Sequence, residues 1–182
     1  MKSIVIAAIL GGIILFAWGA IAHMATPLGT IGLQPVPNEE AVRSALKNNI
    51  PNEGLYYFPA PDPKKPNDME AHAAKMRSGP TGLLVYQPVG TIDFGKQLTI
   101  ELLSDIIAAL IAAILASMMV GSYGKRVLAI TFLAVFAWML LTVSYWNWYH
   151  FTLGFALAEL VTEIVGMFLA ALVIAKFVRA PA

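Results

Sequence analysis

Residues 98–120 read LTIELLSDIIAALIAAILASMMV, and residues 151–175 read FTLGFALAELVTEIVGMFLAALVIA. Each run is long enough to cross roughly 30 Å of hydrocarbon as a helix rising about 1.5 Å per residue. Each also carries a pair of carboxylic acids and no Lys or Arg: Glu101 and Asp105 in the first, Glu159 and Glu163 in the second. The i, i+4 spacing puts each pair on one face of its helix. Carboxylates in lipid are expensive, and their default meaning is functional.

Two further apolar runs, 4–22 and 127–145, carry no acidic or basic side chain. Helix is the form that satisfies their backbone in lipid, because a lone strand leaves its N–H and C=O groups unpaired. Composition agrees: 58% of the 182 residues are hydrophobic, 13% are charged, and mean hydropathy is +0.71. Soluble domains carry about 25% charged residues. The expected fold is an all-α membrane protein, a four-transmembrane-helix bundle with a small α/β extracytoplasmic insert. Residues 1–24 form its first crossing, 25–97 the insert and 98–179 the remaining crossings. Cysteine is absent, which excludes disulfides, thiolate metal sites and Cys nucleophiles. The net charge of +1 and the lack of a basic run give no nucleic-acid partner; the expected partners are the bilayer and other membrane subunits, self included.

Short basic flanks set the orientation. Lys2 precedes the first run, Lys125 and Arg126 lie in a tight turn between the second and third, and Lys176 and Arg179 follow the fourth. With four crossings these fall on one side, which the positive-inside rule makes cytoplasmic. Both termini are then inside a bacterial-type inner membrane and residues 25–97 outside. Tyr145, Trp146, Trp148 and Tyr149 mark the outer interface. Lys2, the apolar run and Ala20-Ile21-Ala22 also resemble a signal peptide with an A-x-A cleavage site, although the run is long for one. Cleavage would leave three crossings.

Most of the chain's 11 prolines lie between Thr26 and Gly82, so much of the insert is turns and extended chain. Asn38 followed by Glu39 and Glu40 predicts a helix start, with Val42, Leu46 and Ile50 as its apolar stripe. Asn67 or Asp68 predicts the cap of a second helix running through Arg77, on which His72 reads as a solvated side chain. Residues 55–58 and 83–86 read as short strands able to pair.

Small residues recur four apart at Gly154, Ala158, Thr162, Gly166 and Ala170, and again at Ala108, Ala112 and Ala116. Such stripes let membrane helices approach closely. Asp105 shares a row with Ala109 and Ala113, and Glu159 and Glu163 sit one position round from the stripe on their helix. The acids are therefore expected to point into protein, within one polar pocket between the second and fourth crossings.

By helical rise, Asp105 lies about 10 Å into its run and Glu163 about 18 Å into its own. A charged Asp at mid-span costs roughly 2.5–3.5 kcal/mol. Three escapes exist. Neighbouring carboxyls can take up or share a proton, hold a cation, or pair with a base from another subunit. Glu101, nearer the interface, reads as a solvated helix-end carboxylate within reach of Lys96. Ser104, Ser117, Thr142, Thr162 and Asn147 are candidate hydrogen-bond partners. His23 and His150 are the local bases, and with the acids they would suit a divalent metal or a proton relay. Neither Glu-x-x-His nor His-Glu-x-x-His is present. Trp18, His23 and Met24 invite a haem or quinone reading, but interfacial Trp and His are more often belt residues.

Three functions follow in order of support. The first is an accessory or structural membrane subunit whose outer insert docks a partner and whose acids fix helix register. The second is a proton- or cation-conducting protein using Asp105, Glu159 and Glu163. The third is a metal-dependent enzyme at His23, His150 and the acids. Gly11-Gly12 has no Lys-Ser/Thr companion and cannot be a P-loop.

Overall fold

A computed structural model describes residues 1–90 and 92–178. Its elements run α1 (Lys2–Ala25), a 3-10 turn (Pro27–Gly29), α2 (Glu39–Asn49), β1 (Gly54–Phe58), α3 (Met69–Ser78), β2 (Gly82–Tyr86), α4 (Phe94–Met118), α5 (Tyr123–Tyr149) and α6 (Leu153–Phe177). Among the described residues four helices, α1, α4, α5 and α6, are long and apolar enough to cross a membrane, compatible with a small integral membrane protein. Their outward faces carry exposed apolar side chains such as Ile107, Ile111, Phe132, Phe136 and Val161, the surface that lipid tails would cover.

Packing divides the chain into two units, one of Met1–Leu33 with the chain from Asp93 on, the other Gln34–Ile92. In the first unit α1 runs antiparallel to both α4 and α6 and packs most extensively against them, while α5 packs chiefly on α6. Gly12 is where α1 meets α4: a Cβ there would stand 2.5 Å from the Ile106 Cα, so the two backbones approach more closely than any side chain allows. The adjoining core is built from small residues, Ala7 of α1, Ala109, Ala112, Ala113 and Ala116 of α4, and Ala170, Ala171 and Ala175 of α6, with Ile130 of α5 and Ile174. Ala108 is only half-buried and Ala109 takes its place in the contact, because the α4 face turned to α1 is centred one residue further on.

Side-chain caps start the later helices. Asp93 accepts from the Lys96 amide, Ser122 from that of Lys125 and Thr152 from that of Phe155. Helix α5 therefore begins at Tyr123, and the turn before it is residues 119–122. Arg126, expected in that turn, lies in the first turn of α5 and is 8% exposed. Its Nη1 donates to the Val178 carbonyl and its Nη2 to that of Ala175 at 3.0 Å, satisfying acceptors that the end of α6 leaves open. Arg179 lies outside the described residues.

The second unit holds a two-stranded antiparallel sheet in which Leu55 pairs with Val85 and Tyr57 with Leu83, with α3 in the connection. Asn38 and Asp68 cap α2 and α3 through the Ala41 and Ala71 amides. His72 is half-buried rather than solvated: its Nε2 lies 3.0 Å from the Pro59 carbonyl, and its ring meets Tyr57 edge-on. The end of β1 and the chain between β1 and α3 fold back over that ring, which sequence spacing does not reveal.

Candidate functional site

The close-packed alanine core occupies the end of the bundle where α1 begins and α4 and α6 finish. At the opposite end α1, α4 and α6 enclose a cavity of about 380 Å3. Glu101 and Asp105 reach it from α4, Glu159 and Glu163 from α6, and Trp18, Gly19 and His23 from α1. The i, i+4 placement of each pair is what brings all four acids to one space, since it keeps each pair on a single helix face. No Lys or Arg is among the lining residues. Among the described residues the only ion pair is Arg43–Glu39, in the other unit, so Glu101 makes none with Lys96.

Of the small-residue stripe of α6, Thr162 and Gly166 line the cavity. Ala158, Gly166 and Ala170 are buried, while Gly154 and Thr162 are half-buried. Gly166 is needed for space, since a Cβ there would lie 2.9 Å from Trp18 Cδ1. The indole Nε1 of Trp18 donates to the Thr162 carbonyl at 2.9 Å, which fixes the ring against α6 beside the acids. Gly154 packs against Ile31, and Gly32, at φ +86°, lies against Thr152 and Phe155, so the turn after α1 folds onto the start of α6.

Three expectations change. The deeper acids are not fully buried: Asp105 and Glu159 are half-buried and Glu163 is exposed on the cavity wall, while Glu101 is exposed as a helix-end carboxylate should be. Tight packing ends with the alanine core, and the larger side chains beyond it leave a cleft. The hydroxyls expected to hold the acids bond their own helices instead: Ser104 donates to the Glu101 carbonyl, Ser117 to that of Ile114 and Thr162 to that of Ala158. No hydrogen bond joins these residues, Thr142 or Asn147 to a carboxyl among the described residues. In a helix the i−3 or i−4 carbonyl is the nearest acceptor for a short hydroxyl side chain. His23 lines the cavity but His150 does not; it ends α5 in the left-handed region, at φ 57°.

Among the described residues no group of three or more His, Asp or Glu side chains is arranged to hold a metal ion. No protein-family model, curated protein or solved structure matches this chain. Its chemistry must be read from the cavity itself.

From α1 the sequence offered only His23, with Trp18 and Met24, at its outer end; that α1 itself walls the cavity between α4 and α6 was missed. Its small positions Gly11, Gly12 and Gly19, and Trp18 as its one indole, were the available signal.

Proposed function

We propose that this integral membrane protein binds and exchanges cations, protons included, at the cavity between α1, α4 and α6. One observation carries the proposal: four carboxyls from two crossings line one cavity that contains no Lys or Arg. Such a site has two ways to avoid unpaired negative charge at membrane depth, uptake of protons or uptake of a cation, and both exchange positive charge with the surroundings. Asp105, Glu159 and Glu163 are the exchanging groups. Glu101, earliest on α4 and exposed, stands at the mouth, and the Trp18 ring offers a face that attracts cations.

The positive-inside rule puts Lys2, Lys125 and Lys176 in the cytoplasm of a bacterial-type cell. The cavity is then nearer the outer face, as is the segment joining α1 to α4. The accessory-subunit alternative loses one motive. Its small-residue stripe on α6 is occupied by α1 of the same chain, with Trp18 on Gly166, and so asks for no second subunit.

Reconstitution into vesicles with an internal pH dye and an imposed potential tests the proposal. The wild-type chain should pass protons or alkali cations; Glu163→Gln and Asp105→Asn should abolish the flux, and Glu101→Gln should only reduce it. Absence of flux from the wild-type chain at every pH and potential would refute it, as would full flux in Glu163→Gln.

A further inference from the structure

The second unit contains a groove that the pocket chemistry does not use. One wall is the α2 face carrying Glu40, Arg43 and Lys47; the other is β2, through Leu84, Val85 and Tyr86. Successive side chains of a strand point to opposite faces of its sheet. Consecutive residues can line one groove only along the strand's edge, and no β1 residue lines it. The groove therefore follows the edge of β2 turned away from β1. Apart from its pairing with β1, β2 makes no backbone hydrogen bond among the described residues, so its outer N–H and C=O groups face the groove unpaired. Val85 is 80% exposed. An open edge of this kind is a template for another strand. Here a helix stands across the gap, and the space between is about 700 Å3, enough for a short extended segment.

The charges select the occupant. Arg43 and Lys47 outnumber Glu40 on the wall, Arg43 is 3.8 Å from Glu39, and Lys47 makes no ion pair among the described residues. We infer that this groove binds an extended, acidic peptide segment of a partner protein, which adds to the β2 edge as a third strand and presents a carboxylate to Lys47 and Arg43. Main-chain hydrogen bonds supply affinity in this mode, and side-chain contacts supply selectivity. At about 3.3 Å per residue, the three β2 residues that line the groove offer roughly 10 Å of edge, and the lining continues beyond the strand through Gln87, Pro88 and Gly90. The inference does not depend on the acidic cavity.

The test uses the full chain in nanodiscs of uncharged lipid and three synthetic peptides. The first alternates valine and threonine around central glutamates. The second replaces the glutamates with lysines. The third is the first with alternate amides N-methylated on one edge. The acidic peptide should bind, the lysine peptide should bind roughly tenfold more weakly or less, and N-methylation should cost roughly tenfold or more. Lys47→Glu, an exposed change that leaves the two-stranded sheet intact, should invert the preference between the first two peptides. The inference is overturned by failure of the acidic peptide to bind, by undiminished binding of the N-methylated peptide, by an unchanged preference in Lys47→Glu, or by self-association of the chain through this edge.

Discussion

Replacing Gly12 by Ala tests how closely α1 and α4 approach. The added Cβ would stand 2.5 Å from the Ile106 Cα and 2.7 Å from its backbone N. Carbon atoms rest at about 3.5–4.0 Å, so the helices must part by about 1 Å. Because the obstacle is backbone, no rotamer change relieves it. Overfilling a packed contact costs about 1–3 kcal/mol, and Ala returns about 1 kcal/mol over Gly in helix propensity. Gly19→Ala is the matched control on the same helix, since nothing lies within 4 Å of its Cβ position. Propensity cancels between the two variants, so Gly12→Ala should be less stable than Gly19→Ala by about 1–3 kcal/mol. Unfolding in mixed micelles with increasing dodecyl sulfate, followed by circular dichroism, measures the difference. Equal stabilities within about 0.5 kcal/mol would refute the close approach.

Other expectations are simpler. Arg126→Met should destabilise the bundle by roughly 1.5–3 kcal/mol in the same assay, because the C-terminal carbonyls of α6 lose charged donors. Arg126→Lys should recover only part of that, since one ammonium lacks the planar fork that reaches both carbonyls. Trp18→Phe should cost about 1 kcal/mol through the lost bond to Thr162 while keeping the packing on Gly166. His72→Ala should raise hydrogen exchange across α3 by the loss of about 1 kcal/mol, leaving α4–α6 unchanged.

The parts of the fold written in local pattern were legible. Length and hydropathy located the apolar helices, and the side-chain oxygens of Asn38 and Asp68 located two helix starts. Alternation bounded by Gly and Pro located the paired strands. What depended on a distant neighbour was not legible. Arg126 read as a loop charge because nothing near it in sequence shows that the end of α6 supplies its acceptors. Ser104 and Thr162 read as partners for the acids because spacing cannot show that their own helix satisfies them first. The acids read as enclosed because small-residue stripes report close packing without showing where along the helices it stops. The stripes predicted an interface, and α1 occupies it, yet a charge-free run gave little reason to place α1 at the centre.

The central claim is that the acids of α4 and α6 share a cavity reached by water, apart from the lipid-facing surface. The chain has no cysteine, so a cysteine introduced at one position reports on that position alone. Single Asp105→Cys, Glu159→Cys and Glu163→Cys variants in native-like vesicles should react with a membrane-impermeant cationic thiol reagent. Ile107→Cys and Val161→Cys, on the outward faces of the same helices, should not. Equal protection of all five positions, or labelling at 107 and 161 with none at 159 and 163, would contradict the account.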